Sequence, residues 1–263
     1  MRKITVLMFA VSLLLTTQLL SQSLLEKADS LWEKRGENFD QQTLLADSAY
    51  INQAIQGYKQ LIQTADGAEK EEAIWKLIRA YYFKGKHTTH DKEMKKAIYD
   101  LGKELGEQGL QQFPDSPGIN LFLAIVWGVW GEEYGILAAA RKGVAGKIKD
   151  LCEKTIELDP EFDEGGGYRV LGRVYFKAPK IWPILRWPSK EKSVEILEKS
   201  LEISPKNLNT RQFLAEAFYS QGEKEQAIQM MNEILAEDQI IEGVAEDAVI
   251  KSEVREMLAY WQK

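Results

Sequence analysis

Few side chains in this sequence could do chemistry, and most have a simpler use. His87-Thr88-Thr89-His90, followed by Asp91, places two imidazoles and a carboxylate close enough to grip a metal. A further ligand at useful spacing is missing, and zinc sites draw on three or four protein ligands. The same letters describe a polar turn running into a helix, with Thr89 or Asp91 at its start, so no metal is expected. Cys152 is the sole cysteine and lies in an apolar stripe with Ile148, Leu151 and Thr155. A thiol there is a small hydrophobe, and no histidine stands nearby in the pattern to activate it. Glu132 and Glu133 with Arg141 are the acid/base set that could converge in a cleft, although they also read as a solvated helix end. Nucleophile elbows and phosphate loops are absent. The chain is expected to be non-enzymatic, with no cofactor.

Binding chemistry is better represented. Gly165-Gly166-Gly167 opens a helix that carries Arg169 and Arg173 one turn apart. Freed amides at a helix start can hold a carboxylate or phosphate that arginine clamps. The plainer alternative is an interhelix turn in which Asp163 or Glu164 satisfies the helix end. Aromatic rings crowd the middle of the chain: Trp127, Trp130, Tyr134, Tyr168, Tyr175, Phe176, Trp182 and Trp187. The last two tryptophans each precede a proline, which stiffens their loop. Such rings can pack on the scaffold, line a pocket for a small apolar or anionic ligand, or meet a protein partner. Trp127, Trp130, Tyr134, Tyr168, Arg169, Arg173, Tyr175, Trp182 and Trp187 are therefore the candidate binding residues.

The elements that must position these groups are helices. Apolar residues recur at helical spacing, as in Ala73, Leu77, Ala80 and Tyr81, or Phe213 and Ala217 with Ile228, Met231 and Leu235 on the next segment. Pro114, Pro160 and Pro205 each close an apolar helix, 46 and 45 residues apart. A fixed period of this size means stacked supersecondary units. Tyr168-x-x-Leu171-Gly172-x-x-Tyr175 and Leu214-Ala215-x-x-Phe218 follow the tetratricopeptide pattern, in which small residues sit where paired helices touch. Gly102, Gly106 and Gly109 offer small residues at the same kind of contact. The usual repeat is about 34 residues, so each longer unit carries an insert, expected at Gly85–Asp91, 127–146 and 176–189. A last helix with Val254, Met257, Leu258 and Trp261 on one face would cap the open end. The expectation is an all-α solenoid of about ten helices over 24–262, built from stacked antiparallel pairs.

Composition agrees with this reading. The 263 residues are 44% hydrophobic and 28% charged, with net charge −6, which argues against nucleic acid as a partner. Arg2 and Lys3 precede an uncharged run over Ile4–Leu20, too short and polar for a membrane span. It reads as a secretory signal cleaved near Ser21. The expected layout is a signal peptide at 1–21 and one repeat domain at 22–263, soluble in the periplasm or secreted.

Residues 133–149, 157–179 and 187–205 resemble the periplasmic tetratricopeptide proteins associated with TRAP transporters, the TatT family. They are more distantly similar to the repeat domain of eukaryotic regulators of microtubule dynamics. The most distinctive stretch is Tyr168-Arg169-x-Leu171-Gly172-Arg173-x-Tyr175 with the exit Lys177-Ala178-Pro179. The resemblance spans 118–238 and has no clear counterpart for helices in 24–64. It implies an exported scaffold that oligomerises and works beside a substrate-binding protein in uptake of organic acids or apolar solutes. A protein partner is the expected ligand, with a small-molecule carrier as the alternative.

Overall fold

The computed structural model describes residues 23–180 and 185–261; Trp182 and the leader at 1–21 fall outside the described residues. Twelve helices and no strand appear among them. They are α1 (23–33), α2 (Ser48–Thr64), α3 (Gly67–His87), α4 (Lys92–Gln112), α5 (Pro117–Tyr134), α6 (Ile136–Arg141), α7 (Val144–Leu158), α8 (Phe162–Lys177), α9 (Lys190–Ile203), α10 (Leu208–Gln221), α11 (Lys224–Ala236) and α12 (Val244–Trp261). None of the described helices is long and apolar enough to cross a membrane.

Local chemistry sets the helix starts. Asp47, Asp91, Ser116, Ser189 and Asn207 each accept a backbone N–H of the first turn, the N-cap bond that satisfies an otherwise orphaned donor. The prolines of the 45-residue period follow α4, α7 and α9, the second helices of their pairs. Pairs α3/α4, α5/α7, α8/α9 and α10/α11 pack as hairpins, and each stacks on the next through α4/α5, α7/α8 and α9/α10.

Small residues allow these approaches. A Cβ on Gly106 would sit 2.8 Å from Leu123 Cδ1, and one on Gly109 2.9 Å from Ile74 Cγ2, so α4 presses on both α3 and α5. Gly172 meets Leu197 in the same way, at 2.5 Å.

The extra length of the first two units is partly helical, whereas the described residues of the third insert are non-helical from Ala178 to Ser189. His87 still belongs to α3, so three of the seven residues of the first insert extend that helix, and α3 and α4 each run 21 residues. The second insert continues α5 to Tyr134, turns at Gly135 (φ 89°), forms the short α6, and turns again at Gly143 (φ 64°) into α7. Both turns lie in backbone regions open mainly to glycine.

The last helix does more than cap. Val254 and Leu258 are buried against α10 and α11, and Trp261 stacks on Tyr219 at 3.9 Å. Its opposite side reaches the first helices. Arg35, just past α1, pairs with Glu246 at 2.7 Å and donates to the Glu242 carbonyl at 2.9 Å. Lys86 near the end of α3 pairs with Glu253 at 2.9 Å. The expected open rack is thus a superhelix whose two ends meet.

Candidate functional site: the concave cavity

Because the ends meet, the concave face forms a half-open cavity of about 1250 Å³. That exceeds the roughly 300–1,000 Å³ of ordinary small-molecule pockets. Its wall is built from one stripe on the first helix of each pair, spaced three or four residues apart so that the side chains share a face. The stripes are Arg79, Tyr82, Phe83 and Lys86 on α3; Phe122, Ile125, Val129 and Glu132 on α5; Arg169 and Arg173 on α8; and Gln212, Phe213 and Glu216 on α10. Glu246, Val249, Glu253 and Met257 of α12 complete the ring, and Trp32 and Arg35 enter from α1. Glycine and alanine from α5 to α7, among them Gly128, Gly131 and Ala139, make one side apolar and wide.

The opposite side is polar. Eight carboxylates and six Lys or Arg side chains line the cavity. Most are paired: Arg35 with Glu246, Lys86 with Glu253, Arg169 with Asp163 and Arg173 with Glu216. Both Arg35 and Arg79 lie over the Trp32 ring, at 4.2 and 4.0 Å from its centre to the guanidinium carbon, a cation–π arrangement. Burial holds the Arg79 guanidinium below its usual range. Burial also pulls His87 down to about 3, helped by the charges of Lys86, Arg35 and Lys95. The imidazole is neutral at physiological pH.

Four side-chain atoms among the described residues are buried without a hydrogen-bond partner: Arg79 Nε, His87 Nδ1, Gln212 Oε1 and Glu246 Oε2. All four belong to residues that line this cavity. A buried polar group left unpaired costs about 1–3 kcal/mol, so the wall of this space is a costly part of the fold.

Backbone strain lies here as well. Asp163, Glu164 and Gly165 adopt left-handed φ of 50°, 56° and 73° at the start of α8. For non-glycine residues this costs on the order of 1–2 kcal/mol each. Arg169 offsets it by binding the Asp163 carboxylate at 2.7 Å and the Asp163 and Glu164 carbonyls at 3.3 and 3.4 Å, while Ser204 donates to Glu164 at 2.8 Å. The triglycine turn is an interhelix turn, but its carboxylate pairs with an arginine and makes no cap.

The candidates read from sequence divide accordingly. Arg169 and Arg173 reach the cavity, each already committed to a carboxylate of the chain. Trp127, Trp130, Tyr134, Tyr168, Tyr175 and Trp187 do not contribute to its lining. Trp127 and Trp130 are buried between helices. Trp130 Nε1 and the Tyr134 hydroxyl both donate to Asp100, at 2.9 and 2.5 Å. Tyr168 is half-buried beneath Lys199, and Trp187 packs edge-on against Tyr175 at 4.7 Å between ring centres. Asp91 caps α4, with its own amide held by Thr89, and His90 turns away from His87 to the Thr43 carbonyl. Cys152 is fully buried, and burial pushes its thiol well above the usual range. Glu132 is exposed and Glu133 pairs with Lys95 at 3.5 Å, so no cleft gathers them with Arg141.

The sequence reading passed over Trp32, Arg35, Arg79, Gln212 and Glu246. The available signal was the second stripe on each first helix, polar or mixed beside the apolar core stripe.

The fold and cavity define a tetratricopeptide-like α-solenoid with a half-open concave cavity. The family model described as regulator of microtubule dynamics protein 1-3 matches residues 24–180, and a tetratricopeptide-repeat model matches 191–239. The chain belongs to the regulator of microtubule dynamics 1-3 family, and the match takes in the first helices, which had shown no counterpart. Regulator of microtubule dynamics protein 3 of Rattus norvegicus is 29% identical over 132 residues, 50% of this chain and 26% of the relative. Regulator of microtubule dynamics protein 2 of Bos taurus is 27% identical over 147 residues, 55% of this chain and 35% of the relative. The matched part is thus about a third or less of those proteins. Among solved structures, a thermophilic tetratricopeptide-repeat protein of Thermus thermophilus, TTC0263, aligns with a TM-score of 0.58 at 15% identity, covering 91% of this chain and 99% of that one. At that identity it shows the shared fold.

Proposed function

We propose that this protein is a non-enzymatic binding scaffold that captures a segment of a protein partner in its concave cavity. The observation that carries the reading is the ring closure. Residues from α1, α3, α5, α8, α10 and α12 converge on one space large enough for a stretch of polypeptide. Stacked helix pairs offer such curved surfaces as a consequence of their geometry. The test is site-directed photocrosslinking, with a benzophenone side chain placed at Val129 or Val249 inside the cavity, and at the exposed Leu101 of α4 as the outer control. Polypeptide adducts from the two cavity positions are expected. Adducts from Leu101 alone would defeat the reading, and lipid or metabolite adducts would favour the small-molecule carrier instead.

Export through the leader at 1–21, release into the periplasm, and work beside a TRAP-type substrate-binding protein are further parts of this proposal. They are supported by the Arg2-Lys3 start with its uncharged run and by the resemblance over 118–238. N-terminal sequencing of protein recovered from a periplasmic fraction tests the first two. Co-purification with a substrate-binding protein tests the third.

A further inference from the structure

We infer that α6 is a hinged lid at the mouth of the cavity, which closes toward α12 over an occupant. Ile136, Ala139 and Ala140 line the space and share one face of the helix. Little holds α6 where it stands. None of its residues is buried, and it packs chiefly on α5 and α7, its neighbours in the chain. Its contact with α5 is small against small, since a Cβ on Gly131 would sit 3.4 Å from Ala139 Cβ. Arg141, its one polar side chain, makes no hydrogen bond or ion pair among the described residues. Six residues also fall well short of the roughly 12–15 that a helix needs to stand alone in water.

Hinges stand at both ends. A Cβ on Gly135 or on Gly143, the two positive-φ turns that bound α6, would meet nothing within 4 Å. Backbone rotation at these glycines meets no wall, and a few such residues are enough to absorb a hinge motion. The drive to close is apolar. Ile136 and Leu137 are 62% and 73% exposed, and Leu137 stands outside the present lining. On α12, Met257 and Tyr260 line the same space, and Tyr260 is 76% exposed. Closing α6 over an occupant takes these large side chains out of water. The two rims are near each other: Glu253 of α12 pairs with Lys86 at 2.9 Å, and the charge of Glu132, near the end of α5, acts on the same lysine.

The test traps the closed form with the pair Leu137→Cys/Tyr260→Cys. Both positions are exposed, so the fold should survive, and the native thiol of Cys152 is sealed in the core. A disulfide needs Cα atoms within about 7 Å, and the exposure of both side chains shows that neither covers the other in the open form. Mild oxidation is expected to link this pair at least about tenfold faster than the control pair Leu101→Cys/Tyr260→Cys, because the lid brings its thiol to the other rim. Equal rates, or no link while both thiols still take up a maleimide, overturn the lid. The same pair in a chain carrying the Val129 benzophenone separates this inference from polypeptide capture. Adducts are expected to fall several-fold on oxidation and to return on reduction. Adducts unchanged by the link would show that entry does not pass α6, and overturn the lid. Absence of adducts from the reduced chain defeats polypeptide capture, while the rate of linking still decides the lid. In the unsubstituted chain, the hydrogen-bonded amides of Ala139 and Lys142 should exchange at least about a hundredfold faster than those in the middle of α5. Equal protection overturns the lid as well.

Discussion

Two groups of aromatic rings in this protein look alike in composition and behave in opposite ways. Trp127, Trp130 and Tyr134 lie between α4 and α5, with the Trp130 N–H and the Tyr134 O–H both ending on Asp100 and Lys147 resting over Trp127 at 4.0 Å. Trp32, Phe83 and Phe122 lie at the concave wall, where Arg79 is stacked yet unpaired at Nε, and where His87, 4.9 Å from Phe83 between ring centres, lacks a partner at Nδ1. The first group is closed: the polar atoms of Trp130 and Tyr134 both end on Asp100, so it stabilises. The second leaves buried polar atoms unmatched, an arrangement that costs stability where the first supplies it. Abundance of rings in a sequence therefore says less about function than the fate of the polar atoms around them.

Four experiments would break or sharpen that contrast. Trp130→Ala should produce the largest change, a loss of about 3–5 kcal/mol from removing a buried ring. Chemical denaturation would measure it, and the fraction that stays folded should still give polypeptide adducts from Val129. Impaired binding by well-folded Trp130→Ala protein would place the two ring groups in one functional unit. Glu246→Gln removes the charge that Arg35 meets across the closure and should cost about 1.5–3 kcal/mol, the range for a hydrogen bond to a charged group. Hydrogen exchange should then quicken in α12 before it quickens in α5, and uniform quickening would mean that the closure is not a separate device. Asp100→Ala should cost about 1–3 kcal/mol by orphaning the Trp130 and Tyr134 donors, a loss to be read from urea midpoints and expected without any change in crosslinking from Val129.

The fourth experiment reads a pH dependence. His87 is held neutral in the folded chain, with its pKa lowered from 6.5 to about 3 by burial, whereas in the unfolded chain it titrates near its ordinary value. The unfolded state thus binds the extra proton between those limits, so stability contributed by neutral His87 is present above about pH 6.5 and is lost as pH falls toward 3. His87→Phe should flatten that part of the stability–pH curve. An unchanged slope would show that other groups govern it.

Much of the scaffold was legible in the residues. The proline period located the ends of α4, α7 and α9, and the small residues at Gly106, Gly109 and Gly172 fall at helix contacts, because helical spacing and close approach leave a local signature. Asp91 and Thr89 at the start of α4 were readable for the same reason. The cavity was not. Its lining residues Arg79 and Gln212 lie 133 positions apart in the chain, and nothing in the spacing of either shows that the other shares its space. Arg169 and Arg173 were singled out for their position beside the triglycine turn, but whether they are free or paired depended on Asp163 and on Glu216, the second of these on another helix.

What the chain settled by itself is that it forms paired helices: periodicity, caps and small contact residues act over a few turns and need no distant partner. Whether those pairs stay open or close into a ring was decided only in three dimensions. Arg35 and Glu246 come together across 211 positions of chain, and a small rotation repeated at each pair determines whether the ends meet. That accumulated curvature has no local residue code, and it is what turns six separate stripes into one cavity.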